Sequence, residues 1–511
     1  MDEEKNYNYK IYTPYEFAIK MVKKSLEYYF KEGKSEERLK NLKICDLSCG
    51  TGNLLLVALE ELLKYSREIL GTYVYYPTWL TGYDIDGKAL EICEDKIKNL
   101  LGKYFINFDE INLNCEDSLY LEEGETYDIL LGNPPYLGEK NNKEIFQEIR
   151  RTEFGKKYYE SKMDYLYFFI EKGIDLLKKG GILTYVTTNY WLKADGANKL
   201  RGKFQEEGSF LEIDTFEFSL FKNAVGQHNM IFYWIKDEKI NEFNILEEGE
   251  NFLGYNEEIY NPYGKIVLAP KCIMDLNKSI LNKSNFSLGE LVNINQGIVT
   301  GHDKAYIFNE WTEEFKDYLK PFYKNKDINR YTTETEPPFW ILYLDRKIAL
   351  DEKLENHLEQ YREKLSQRRE VVTSRINWWE LQWARDEEIF LKPKIVVRQR
   401  CKNNNFAYNE GIFYGSADIY YMTKKNSMVD LFYILGYLNS KVFFKWFKYN
   451  GKIKGKNLEF YSTPLKETPI YYPEKEFDRE YISNLVRKQI KNYSEDIQRE
   501  IDNYFYKIFI E

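Results

Sequence analysis

Histidine is almost absent: the 511 residues hold three, His228, His302 and His357. That is too few for a histidine-based metal centre or a histidine general base, and no metal site is expected. Cysteine is scarce as well, six in all, with no Cys-x-x-Cys pair. Cys45 and Cys49 stand four apart, but the two later ligands of a zinc site are missing. All six are read as reduced thiols of a cytoplasmic protein. No apolar run approaches the roughly 18 residues of a membrane span. The best, around Leu54–Leu59, is cut by Glu60 and Glu61. The opening Met1-Asp2-Glu3-Glu4-Lys5 is charged and makes no signal peptide. Positive charge is also lacking overall: the net charge is −9. Taken alone, that argues against a nucleic-acid partner.

The distribution of charge argues the other way. Residues 391–456 hold thirteen lysines and arginines against three acids, Glu410, Asp418 and Asp430. Phe443, Phe444, Trp446, Phe447 and Tyr449 are interleaved among the cations. Such a stretch is a candidate phosphate-contacting face, with Arg398, Arg400, Lys441, Lys452, Lys454 and Lys456 as its candidate DNA-binding residues. A solvated lysine-rich surface is the alternative.

The length exceeds one ordinary domain, and 43% hydrophobic residues can fill two cores. Between residues 40 and 235 short apolar runs alternate with helical patterns. Strands are expected at Leu42–Leu47, Trp79–Ile85, Ile111–Cys115, Tyr127–Gly132 and Ile182–Thr188. Helices are expected at Asn53–Leu70, Ala89–Leu101 and Asp164–Leu177. The alternation predicts an α/β fold, a doubly wound and mostly parallel sheet. Two last strands, Leu211–Phe218 and Asn229–Ile235, have no crossover helix between them and should pair antiparallel at the sheet edge. That makes seven strands. The pattern weakens after residue 236, so the expected division is a first domain at 1–245, a connecting segment at 246–289, a second domain at 290–475, and terminal helices at 476–511.

Asp46-Leu47-Ser48-Cys49-Gly50-Thr51-Gly52 follows a strand and opens a helix, and its glycines let backbone N–H groups approach a ligand. Asp84, near the end of the second strand, can accept from ribose hydroxyls. Asp117, ending the third, can accept from an adenine amino group. Ligands in such sheets bind outside the carboxyl ends of the strands, so the three sites share one crevice suited to an adenosine-containing cofactor. A nicotinamide dinucleotide fits less well, because Leu55 stands where the third glycine of its fingerprint belongs.

Asn133-Pro134-Pro135-Tyr136 follows the fourth strand. An aromatic amine such as adenine N6 is a poor nucleophile, since its lone pair is delocalised into the ring. Acceptors that hold its hydrogens free that lone pair. The Asn133 side-chain oxygen and the Pro134 carbonyl can be those acceptors, pre-placed because each proline restrains the backbone. Tyr136 offers a ring for an extruded base, which implies base flipping. No titrating general base is needed.

These motifs resemble the amino-methyltransferases of restriction–modification systems, in particular the TaqI-like and Eco57I-like adenine-N6 group with the γ order of motifs. Tyr12-Thr13-Pro14 is similar to that family's N-terminal motif. Further similar pieces are Gln296–Gly301 with Asp303–Ile307, Leu319–Phe322 with Asp327–Tyr331, Lys392–Arg398, Leu435–Lys441 and Tyr461–Pro464. The resemblance implies a methyltransferase sheet followed by a C-terminal α+β target-recognition domain. It implies S-adenosyl-L-methionine as cofactor, held by Thr13, Asp46, Gly50, Gly52, Asp84, Ile85, Asp117 and Ser118. Catalysis would rest on Asn133, Pro134, Pro135 and Tyr136, with Tyr136 and Phe221 stacking on the target base. The implied partner is double-stranded DNA, with a separate restriction endonuclease possible. A monomer without a nuclease domain is expected, since the cofactor motifs begin near residue 12. An RNA base, a protein glutamine, or a non-catalytic DNA-specificity role remain as alternatives.

Overall fold

A computed structural model describes residues 13–108, 110–122, 124, 126–216, 220, 228–247 and 249–510. The chain forms two compact units, divided between Lys271 and Cys272.

The first unit is built on one sheet. Its strands are β1 (Ile44–Asp46), β2 (Leu80–Asp84), β3 (Asn112–Cys115), β4 (Tyr127–Gly132), β5 (Leu177–Thr188), β6 (Gly208–Phe216), β7 (Asn229–Lys236), β8 (Glu242–Glu247) and β9 (Glu250–Tyr255). Their spatial order is β3-β2-β1-β4-β5-β7-β6-β8-β9. The first five run parallel. β7 inserts antiparallel between β5 and β6. The chain moves outward from β1 to β3 and then returns to the other side of β1 at β4. That reversal opens a crevice at the carboxyl ends of β1 and β4.

Helix Asn53–Leu70 starts after Gly52 and stops at Gly71, both in the left-handed region, with φ of 78° and 77°. Glycine takes that conformation without a Cβ penalty, so both ends are set locally. Asp86 caps helix Gly87–Lys103 by accepting from the Lys88 and Ala89 N–H groups. Leu54, Leu55, Leu59, Leu62, Cys93 and Ile97 pack with Ile129 and Leu131 of β4 on one face of the sheet. Leu130 and Leu183 point to the other face, against Phe168, Phe169 and Trp234.

Two expectations are corrected. The sheet has nine strands rather than seven, and the β6–β7 pair is not its edge. Residues 242–255, which the expected boundary at 245 splits between the first domain and the connecting segment, form β8, parallel to β6, and β9, antiparallel to β8. Only Phe243 and Ile245 of β8 are buried, an alternation too short to mark a strand.

The second unit holds an antiparallel sheet of Val292–Gln296, Ile419–Lys424, Lys394–Arg398 and Phe406–Asn409, in that order. A second four-stranded sheet is built on Leu319–Tyr323 and Phe339–Leu342. Helices Glu476–Lys491 and Glu495–Ile510, expected as a separate tail, contribute Ile482, Val486, Ile501 and Phe505 to the core around Tyr433 and Tyr437. Leu276 and Ile280 of helix Lys271–Lys283 join the same core.

Candidate functional site

The crevice at the ends of β1, β2 and β4 gathers most of the residues singled out in the sequence. Asp46 ends β1 and is 3% exposed. Its Oδ1 accepts from the Ser48 N–H at 3.0 Å. Burial pushes its carboxyl up to about 7, so near neutrality much of it carries a proton. The Asp84 carboxylate ties two loops together, accepting from Gly50 N–H at 2.8 Å and from Asp86 N–H at 2.9 Å. A carboxylate has about four lone-pair sites, so Asp84 retains capacity for a ligand's hydroxyls. Gly50 and Gly52 both have positive φ. A Cβ on Gly52 would lie 2.2 Å from Cys93 Sγ, so this turn admits only glycine.

Ile85, beside Asp84, is 77% exposed, an apolar side chain left in solvent at the mouth of the crevice. Asp117 ends the β3 loop. Its Oδ1 accepts from Leu119 N–H at 3.0 Å, and burial raises its carboxyl above the usual range. Ser118 departs from expectation. It is 2% exposed and its hydroxyl donates to the Leu47 carbonyl at 2.7 Å. It tethers the β3 loop to the β1 loop rather than presenting itself to a ligand. Thr13 is buried, and its carbonyl accepts from Asn53 Nδ2 at 3.3 Å.

The tetrad leaves the sheet at Gly132. A Cβ there would meet the Tyr185 ring at 2.8 Å. Pro134 is buried, while Asn133, Pro135 and Tyr136 are half-buried. The Tyr136 hydroxyl lies 2.9 Å from Asn133 Oδ1 and 3.0 Å from the Val186 carbonyl of β5. Burial raises the Tyr136 hydroxyl far above its ordinary pKa, so it stays protonated and acts as a donor. Past the tetrad the chain is clamped: Asp164 Oδ1 accepts from Leu137 N–H at 3.0 Å, and Tyr165 N–H donates to the Leu137 carbonyl at 2.9 Å. Phe221, the expected second stacking residue, and Tyr12 lie outside the described residues.

Several contributors were not anticipated. Lys96 crosses from its helix to the glycine loop, donating to the Thr51 carbonyl at 3.0 Å and hydroxyl at 3.2 Å. Asp164 and the Val186 carbonyl brace the tetrad. No motif marks them, because strand pairing and chain return bring them there.

The cationic stretch in the second unit is also reshaped. Helix Lys441–Asn450 is amphipathic, burying Phe443, Trp446 and Phe447 and leaving Lys441, Lys445 and Lys448 exposed. Those three aromatics therefore belong to the core. Arg398 is bound to the main-chain carbonyls of Ile328 and Lys326. Arg400 pairs with Glu459 at 2.7 Å, and Lys452 Nζ lies 3.7 Å from the same carboxylate. Lys441 faces Asp502 at 3.7 Å. Lys454 and Lys456 remain exposed on the hairpin of strands Lys452–Lys454 and Asn457–Glu459. Arg398, Arg400, Lys441 and Lys452 are thus engaged within the fold.

The strand order, with its reversal at β1 and β4 and an antiparallel β7, is that of a doubly wound α/β sheet with its ligand crevice at the carboxyl ends of the strands. Residues 57–221 match the Eco57I restriction-modification methylase and residues 320–470 the TaqI-like C-terminal specificity domain. The chain is thus similar to restriction-modification methylases over its first part and to the TaqI-like specificity domain over its second. It is 27% identical to the Type II methyltransferase M.HindII of Haemophilus influenzae, over 91% of this chain and 92% of that one. It is 26% identical to M.HincII of the same species, again over 91% and 92%. The fold resembles the Type IIL restriction-modification enzyme MmeI, solved in complex with DNA. The TM-score is 0.67 at 15% identity, covering 98% of this chain and 75% of that one.

The chemistry of these residues fits S-adenosylmethionine: Ile85 leaves an apolar side chain exposed at the crevice, and Asp84 and Asp117 place carboxylates at neighbouring strand ends.

Proposed function

We propose that the protein methylates N6 of an adenine flipped out of double-stranded DNA. The observation that carries this reading is the Asn133-Pro134-Pro135-Tyr136 tetrad at the carboxyl end of β4, in the crevice of the glycine loop, with the Tyr136 hydroxyl at 2.9 Å from Asn133 Oδ1. When bound, S-adenosylmethionine supplies a methyl on a sulfonium, which needs no further activation. Asp84 would hold its ribose, Ile85 and Asp117 its adenine, and Gly50 and Gly52 its approach to the backbone.

The chain's own residues do the rest. Asn133 Oδ1 and the Pro134 carbonyl accept the two N6 hydrogens and turn the amine lone pair outward. Both acceptors are in place before the base arrives, so little reorganisation is spent at the moment of reaction. Tyr136 offers its ring to the base while its hydroxyl, turned inward, holds the Asn133 amide. The exposed Lys454 and Lys456 contact phosphate.

The test is transfer of label from S-adenosylmethionine to duplex DNA, followed by nucleoside analysis. Labelled N6-methyladenine is expected. Label in RNA or in protein instead, or in no acceptor, would overturn the proposal.

A further inference from the structure

Several cations of the second unit have a partner that accounts for their charge or hydrogens. Arg400 and Lys452 share Glu459, Lys392 pairs with Glu388, and Arg362 with Glu359. Arg368, 8% exposed, spends its guanidinium on the carbonyls of Leu365, Thr300 and Trp378.

Arg385, half-buried, likewise has no carboxylate within ion-pairing distance among the described residues, but fewer of its hydrogens are used. Its Nε donates to the Gly297 carbonyl at 3.0 Å and one Nη2 hydrogen to Gln296 Oε1 at 3.1 Å. Gln296 is itself fixed, its Nε2 donating to the Ala417 carbonyl at 2.9 Å. Of the five N–H groups of a guanidinium, these contacts use one edge. The guanidinium carbon lies 5.8 Å from the Trp383 ring centre, and Trp383 is 43% exposed.

The backbone here is held against its own preference. Arg385 has φ of 72°, a region that non-glycine residues avoid unless the surroundings over-determine it. The bracing is visible. Trp383 and Val299 exchange both main-chain hydrogen bonds, at 2.9 and 3.1 Å. The Tyr343 hydroxyl donates to the Arg385 carbonyl at 3.2 Å. A Cβ on Gly297 would lie 2.2 Å from the Ser416 carbonyl, which explains a glycine in the Gln296–Gly301 piece.

A strained backbone and a half-buried cation without a counter-ion both oppose folding. Neutral acceptors orient one edge of the fork and leave its remaining donors for a second, planar pair of acceptors. In duplex DNA the O6 and N7 atoms of guanine are such a pair in the major groove, and arginine matches them in two parallel hydrogen bonds. Resting on the reading that this protein methylates DNA, we propose that Arg385 is a base-reading residue for guanine, with Gln296 as the positioning residue that holds its guanidinium in plane.

The full chain, expressed in a host without adenine methylation, reveals its recognition sequence when the host DNA is sequenced for methylated sites. Arg385→Lys keeps the charge but loses the fork. It should lower discrimination at one G·C position about 10- to 100-fold, read as the ratio of methylation rates on matched and substituted duplexes, with other positions unchanged. Gln296→Ala should relax the same position to a smaller degree. Melting temperature identifies any variant that fails to fold, and Arg385→Gln then replaces it. An unchanged recognition sequence in both Arg385 variants overturns the proposal. So does a uniform loss across all sequences with a shallower salt dependence, the mark of a phosphate contact. If the wild-type chain leaves DNA unmethylated, the methyltransferase reading itself fails, and this proposal falls with it.

Discussion

The Tyr136 hydroxyl stands 2.9 Å from Asn133 Oδ1 and 3.0 Å from the Val186 carbonyl. One residue of the tetrad therefore orients another and anchors both to the neighbouring strand. Tyr136→Phe keeps the ring and removes this tie. Turnover should fall about fivefold, in line with one hydrogen bond of about 1 kcal/mol. Cofactor affinity should stay level. Asn133→Ala should abolish methylation while calorimetry still shows cofactor binding. Near-normal turnover in that variant would refute the acceptor role.

Gly52 carries two constraints, a φ of 78° and a Cβ position 2.2 Å from Cys93 Sγ. Gly52→Ala should lower stability by about 2–4 kcal/mol, the sum of backbone strain and overpacking. Adding Cys93→Ala should restore part of that loss, since the clash is relieved but the φ is not. Thermal melts of the single and double variants separate the two contributions.

Asp46 has its carboxyl pushed up to about 7 by burial. Its folded-state pKa thus lies above the unfolded value, and the native state binds the proton more tightly. Its effect on stability is therefore nil below about pH 4, and stability is lost as pH rises from there toward 7. Asp46→Asn keeps an acceptor for the Ser48 N–H and carries no titrating proton. Between about pH 4 and 7 the melting temperature of the wild type should decline relative to that of the Asp46→Asn variant. Parallel curves would contradict the assignment.

Lys454 and Lys456 are exposed on their hairpin, whereas Lys452 sits 3.7 Å from Glu459. If the hairpin contacts phosphate, Lys454→Ala and Lys456→Ala should each reduce the slope of log K against log salt by about one. Lys452→Ala should change it less. Binding measured from low to moderate salt distinguishes these outcomes.

Where local chemistry decides, the sequence was legible. Helix Asn53–Leu70 and strand Tyr127–Gly132 fall where the glycines and the apolar run put them. The antiparallel pairing of β6 and β7 followed from the short connection alone. Where pairing decides, legibility failed. The strand expected at Ile182–Thr188 already begins at Leu177, which pairs with Tyr127. Ser118 sits within a binding motif, but only the fold shows its hydroxyl turned to Leu47. Glu459, three residues past the basic window, reaches Arg400 because strand Asn457–Glu459 pairs with Arg400–Cys401.

The contact between Tyr136 and Val186 also bears on which insertions and deletions this protein can survive. Gly132 is paired with Tyr185 in the β4–β5 ladder, so the carbonyl that meets the Tyr136 hydroxyl is selected by counting along β5. One residue inserted within that strand shifts the count by about 3.3 Å and turns the next carbonyl the opposite way. A length change between Ile182 and Val186 should therefore silence methylation even where the sheet still folds.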